Sequence, residues 1–164
     1  MNRQYAKSAK KTINFYDNPY LEVICMKKPF EETDAELDKI AKEVVDAAFK
    51  VHFNIGPGLL ESAYEACLAY EISQRGLKVE QQVAVPLVYE KVNLNVGFRI
   101  DLLVQKRLIV EVKAVEALLP VHRAQVLTYL KLSGLQLGLL INFYSPILKK
   151  GLERIILSGS KKRI

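Results

Sequence analysis

The chain has 164 residues, half of them apolar, so it can bury one core without disulfide or metal staples, and wholesale disorder is not expected. No apolar run reaches the roughly 18 residues of a membrane span, and the N-terminus lacks the apolar centre of a signal peptide, so a cytoplasmic protein is the expectation. The net charge of +6 is uneven: residues 1–30 carry +4 and residues 149–164 carry +5, which leaves the middle slightly acidic. Basic ends around an acidic body suit a protein that touches a polyanion at its margins, although solvated tails that aid solubility would look the same. Cys25 and Cys67 are far apart in sequence with no histidine cluster near them. They suggest neither a zinc site nor a disulfide framework, and Cys67 reads as a small core residue.

Residues 1–32 show no sustained periodicity and are expected to form an irregular basic arm, with the folded domain spanning 33–157 and a basic tail at 158–164. At the domain's start "TDAE" offers Thr33 as N-cap and Glu36 three residues on, a capping box. Leu37, Ile40, Ala41, Val44, Val45, Ala48 and Phe49 then recur at helical spacing, predicting a helix to about His52 that "GPG" breaks. A second helix is predicted from about Leu59 to Arg75, with Leu60, Tyr64, Cys67, Leu68 and Ile72 on one stripe and Gly76 ending it. From Lys78 the texture changes to alternation and β-branched residues. "KVEQQVAVPLVYE" predicts a strand with Val83, Val85 and Leu87 on one side, near a sheet edge because of Pro86. "NVGFRIDLLVQ" and "RLIVEVKAV" predict a hairpin around Lys106 and Arg107, "LPVHRAQVLTYLKLSG" a third helix ended by Gly134, and "LQLGLLINFY" a strand buried on both faces. The order, helix, helix, three strands, helix, strand, predicts an α/β layer with a central mixed sheet flanked by helices.

Within the hairpin stand three charges that the apolar pattern does not call for. A loop of Gln105, Lys106 and Arg107 pairs Val104 with Leu108 and therefore sets Asp101 opposite Glu111, while alternation sends Lys113 to the same face as Glu111. Facing carboxylates are unfavourable unless a positive charge sits between them, and an oxygen-only set suits a hard cation such as Mg²⁺ or Mn²⁺. A cation there would lower the pKa of bound water and neutralise charge on a phosphodiester, with the lysine orienting the attacking water. The plainer alternative is carboxylates at solvated strand ends with Lys113 as a simple ion pair.

With "RID" ending in Asp101 and "EVK" running from Glu111 to Lys113, the chain resembles the PD-(D/E)XK nuclease superfamily. Ile100 stands where the family name has proline. "GLLESAY" supplies Gly58, Glu61 and Tyr64 in a G-x-x-E-x-x-Y arrangement, and from about Thr33 to Leu157 the chain resembles the small bacterial and archaeal family named for that motif. "QVLTY" matches the Q-x-x-x-Y helix of RecB-type nucleases through Gln125 and Tyr129, which lie one helical turn apart on one face. The resemblance implies a metal-dependent nuclease acting on nucleic acid, DNA rather than RNA. It assigns Asp101, Glu111 and Glu61 to the metal, Lys113 to the water, Gln125 to bracing Lys113 or substrate, and Tyr129 to the same site. A non-catalytic module that keeps the fold and binds nucleic acid or protein is the competing expectation.

Several of these residues have simpler roles open to them. Glu61 in a helix's first turn is stabilising without any metal, and Tyr64 and Tyr129 lie on apolar stripes where a tyrosine with a satisfied hydroxyl packs well. His122 and His52 fit structural hydrogen bonds as well as chemistry. Lys149, Lys150, Arg154, Lys161, Lys162 and Arg163 are the candidates for phosphate contacts, without aromatic residues among them to stack bases.

Overall fold

A computed structural model describes residues 33–89, 92–94 and 98–157. The expected basic arm at 1–32 and tail at 158–164, with Cys25, Lys161, Lys162 and Arg163, lie outside them. Among the described residues no helix is long and apolar enough to cross a membrane.

Helix α1 runs Ala35–Ile55 and α2 Glu61–Gln74; strands β1 (Val79–Ala84), β2 (Leu87–Tyr89), β3 (Val92–Leu94), β4 (Arg99–Val104) and β5 (Leu108–Lys113) follow. Then come α3 (Pro120–Ser133), β6 (Leu137–Asn142), a 3₁₀ turn at Leu148–Gly151 and β7 (Leu152–Ile156). Five strands form one mixed sheet in the order β1-β4-β5-β6-β7, in which only β5 and β6 are parallel. The connection from β5 through α3 to β6 is the crossover a parallel pair requires. One face of the sheet packs on α1 and α2 through Leu102, Val104, Val110, Leu139 and Ile141, and the other on α3 through Ile109, Leu140 and Ile155. This is the predicted α/β layer. β6 is buried at all six positions, as its unbroken apolar run requires.

The differences from the sequence pattern have local causes. Asp34, not Thr33, caps α1, accepting the Leu37 N–H at 2.9 Å. The Thr33 hydroxyl is used elsewhere, donating to Asp38 and accepting from Arg154, while Glu36 pairs with Arg107 instead of closing a capping box. Phe49 is exposed, because the buried stripe runs through Ala47, Ala48 and Val51. Leu60 caps α2 from outside and is 78% exposed, and Cys67 is only partly buried. The single strand expected from Lys78 to Glu90 is two, since β1 ends before Pro86, which has no N–H to donate, and β2 pairs with β3 in its own small hairpin. β1 does lie at the sheet edge. β7 has no counterpart in the sequence pattern, because "LERII" is short and embedded in basic residues.

Two strands change face at one shared level. Val79 packs toward α1 and α2 but Val83 toward α3, and Ile100 packs toward α3 but Leu102 toward α1 and α2, although each pair has the same parity. The β1–β4 pairing keeps one register from Val79↔Val104 to Ala84↔Arg99 but skips Gln82 and Asp101. Gln82 has φ +52°, a left-handed backbone that non-glycine residues rarely adopt.

Candidate active site

β4 and β5 pair through only three residue pairs, Leu102↔Val110 to Val104↔Leu108, joined by the Gln105-Lys106-Arg107 loop in the expected register. Beyond Leu102 and Val110 the strands part, and that split is where the three charges sit. The next step of the register would set Asp101 against Glu111. Instead the Asp101 carboxylate fills the gap, with Oδ2 accepting the Val112 N–H at 2.9 Å. A backbone donor that the split would orphan is thereby satisfied.

Glu111 is 1% exposed, on the sheet face that α3 covers. Its Oε1 accepts from Lys113 Nζ at 2.6 Å, and its Oε2 is buried without a hydrogen-bond partner among the described residues. Burial, and then the Asp101 charge, push the Glu111 carboxyl up to about 7 despite the lysine. Asp101 is also raised, by burial first, with the Val112 N–H opposing. For Lys113 burial pulls downward, but the bond to Glu111 and the surrounding carboxylates outweigh it and leave the ammonium firmly charged.

Glu61, in the first turn of α2, accepts the Ala114 N–H through Oε1 at 3.1 Å, tying α2 to the end of β5. Its charge reaches the cluster and raises Asp101 and Glu111 further. From α3, Gln125 donates to the Tyr129 hydroxyl at 2.9 Å, where the resemblance implies a brace for Lys113 or for substrate. Burial raises the Tyr129 phenol against the Gln125 bond, and the Glu111 and Asp101 charges add to the rise. Tyr64 is different. It is fully buried, donates to the Gly56 carbonyl at 2.7 Å, accepts from Leu59 N–H at 3.1 Å and stacks on Phe143, so it holds the glycine turn and not the acids.

The histidines take structural places: His122 Nδ1 accepts the Leu119 N–H at the start of α3, and His52 Nε2 lies 2.8 Å from the Ser145 carbonyl. Lys149 and Lys150 are exposed on the 3₁₀ turn, and Arg154, on the outer strand, is bound to Asp38 and Thr33. Three residues near the cluster were not singled out by the sequence. Gln82 donates to both Asp101 (3.3 Å) and Glu65 (2.8 Å). Glu65, one turn beyond Glu61 on α2, has its carboxyl raised by burial. The buried Asn142 binds Val115 N–H and C=O at 3.1 and 2.7 Å and so fixes the chain leaving β5. The i, i+4 step from Glu61 was the one available hint, because it places Glu65 on the same helical face.

Among the described residues no group of three or more His, Cys, Asp or Glu is gathered closely enough to hold a metal ion alone. The pair of carboxylates nonetheless fits a hard divalent cation. Glu111 presents an oxygen with no partner among the described residues, Asp101 stands beside it, and such ions are often held by one or two carboxylates with water completing the shell.

Fold and cluster together define a mixed-sheet α/β protein with an aspartate and a Glu-x-Lys at a split between adjacent strands. The model of the PD-(D/E)XK nuclease superfamily matches residues 38–155, and the chain belongs to that superfamily. Comparison with curated proteins and with solved structures gives no match.

Proposed function

We propose that the protein is a metal-dependent nuclease that hydrolyses phosphodiester bonds, with DNA as its substrate. The observation that carries this reading is Glu111: a carboxylate buried beside a second carboxylate, with one oxygen lacking a donor among the described residues, is costly to keep charged even with Lys113 on its other oxygen, and a divalent cation would complete the site. Asp101 and Glu111 would hold Mg²⁺ or Mn²⁺, and Glu61 would join them by turning from the Ala114 amide. A bound divalent ion would supply charge neutralisation at the phosphate and a more acidic water. Lys113, held by Glu111, would orient the attacking water and keep a positive charge at the scissile group. Tyr129, oriented by Gln125, presents its hydroxyl to the same space, in keeping with the Q-x-x-x-Y helix of RecB-type nucleases. Gly58, Glu61 and Tyr64 support placement in the G-x-x-E-x-x-Y family, with Tyr64 serving the turn that positions Glu61.

The test is Mn²⁺ calorimetry on wild type and on the Asp101→Asn, Glu111→Gln double variant, followed by incubation of each with linear single- and double-stranded DNA. Binding and cleavage should both be present in wild type and both be lost in the variant. Wild type that binds no Mn²⁺, even with DNA present, would overturn the reading and leave a binding module that retains the fold.

A further inference from the structure

At the level of Asp101 the sheet gives up its regularity in both β1 and β4. The ladder between them is intact above and below, in one register, yet Gln82 and Asp101 are left out of it. Gln82 takes a left-handed backbone with no glycine to ease it, and both strands exchange faces there. A defect kept in register on both sides is a local feature of two residues, not a slip of a strand. What the conformation achieves is visible in the side chain: Gln82 Nε2 reaches Glu65 on α2 at 2.8 Å and Asp101 at 3.3 Å. An amide nitrogen has two hydrogens, enough for one donor to each carboxylate.

Asp101 is thus gripped on both oxygens. Oδ2 takes the Val112 amide from β5 and Oδ1 takes the Gln82 amide from β1, which leaves the carboxylate little rotational freedom. Glu65, buried enough to be perturbed and itself bonded to Gln82, anchors the amide from behind. Without Gln82, Oδ1 would have no protein donor among those the structure gives it, and Asp101 could turn away from Glu111.

We infer that Gln82 is a positioning residue for Asp101, and that the left-handed kink in β1 exists to aim its side-chain amide at that carboxylate. The inference rests on the metal-site reading for its functional consequence, but not for its structural content. Residues that orient a metal-binding carboxylate typically change metal affinity by about ten- to a hundredfold when removed.

Two variants of the full chain separate amide from backbone. Gln82→Gly tolerates φ +52° but has no side chain, and Gln82→Met keeps the length without a donor. Hydrogen exchange at the Val112 amide, read by NMR without metal, reports directly on whether Asp101 stays in place. Exchange there should quicken by roughly tenfold in both variants relative to neighbouring β5 amides, and Mn²⁺ affinity should fall by about ten- to a hundredfold. Unchanged Val112 exchange in both variants would overturn the positioning role. If wild type binds no Mn²⁺, the metal reading fails, and Val112 exchange still decides the role of Gln82.

Discussion

The Glu111 carboxyl is held near 7 by burial and by Asp101, well above the value near 4.5 it has in an unfolded chain. Between those two values the folded state binds the proton more tightly than the unfolded state. The contribution of this group to stability is therefore full below about pH 4.5 and is lost as pH rises through about 7, on the order of 3 kcal/mol in all. Asp34 and Asp38, whose carboxyls are lowered by the Leu37 amide and the Thr33 hydroxyl respectively, act in the opposite sense and only at pH below their ordinary 3.8, so the windows do not overlap. Denaturant unfolding of the metal-free protein at pH 5 and pH 8 should show the loss in wild type and a much flatter profile in Glu111→Gln. Mn²⁺, which competes with the proton for the same oxygens, should restore stability at pH 8 in wild type alone. Tyr64 offers a contrast at the same scale. Tyr64→Phe deletes the bond to Gly56 and the acceptor for Leu59, so it should cost about 1–3 kcal/mol in unfolding while leaving Mn²⁺ affinity within about twofold. A large loss of affinity at unchanged stability would instead place its hydroxyl in the metal site.

α3 and β6 meet where Gly138 faces Val126. A Cβ on Gly138 would lie 2.5 Å from Val126 Cγ1, and the valine is fully buried and β-branched, so it has little rotamer freedom with which to retreat. Gly138→Ala should destabilise by roughly 1–3 kcal/mol and should displace the helix that carries Gln125 and Tyr129, measured as a lower Tm and altered Tyr129 NMR shifts. Elements of this kind were legible in the sequence because a single period governs each: α1, α2, α3 and β6 announce themselves by stripe, run and glycine stop. The hairpin register was legible too, since an odd loop fixes it and with it the approach of Asp101 to Glu111. What could not be read depends on contacts between distant segments. Thr33 has the residue type of an N-cap but is drawn off by Asp38 and Arg154, 121 positions away in the latter case. Gln82 looks like any polar residue on an edge strand until α2 and β4 are brought beside it. β7 has the apolar content of a strand in only a few residues, and its sheet partner β6 is what makes it one.

At the scale of the molecule, charge is uneven along the sequence. Asp101 and Glu111 lie where β4 and β5 part, while half of the chain's Lys and Arg fall in residues 1–30 and 149–164. If nucleic acid is the substrate, the carboxylates repel its phosphates, and basic residues set apart from them would offset that repulsion without touching a reacting atom. They are not equivalent. Arg154 already serves Asp38 and Thr33, and its removal should loosen the start of α1 more than it weakens any phosphate contact. Lys149 and Lys150 are exposed on their turn, and Lys161, Lys162 and Arg163 follow Leu157 in sequence. Each phosphate neutralised on duplex DNA contributes about 0.9 to the slope of log K against log salt. If the last three cations each engage a phosphate, a chain ending at Leu157 should bind duplex DNA with a slope shallower by roughly 2 to 3, at unchanged Mn²⁺ affinity. Fluorescence anisotropy across about 50–200 mM salt measures it. An unchanged slope would assign phosphate contact elsewhere, with Lys149 and Lys150 the next residues to replace. Loss of Mn²⁺ affinity on truncation would mean that the tail supports the site itself and does not act as a separate electrostatic arm.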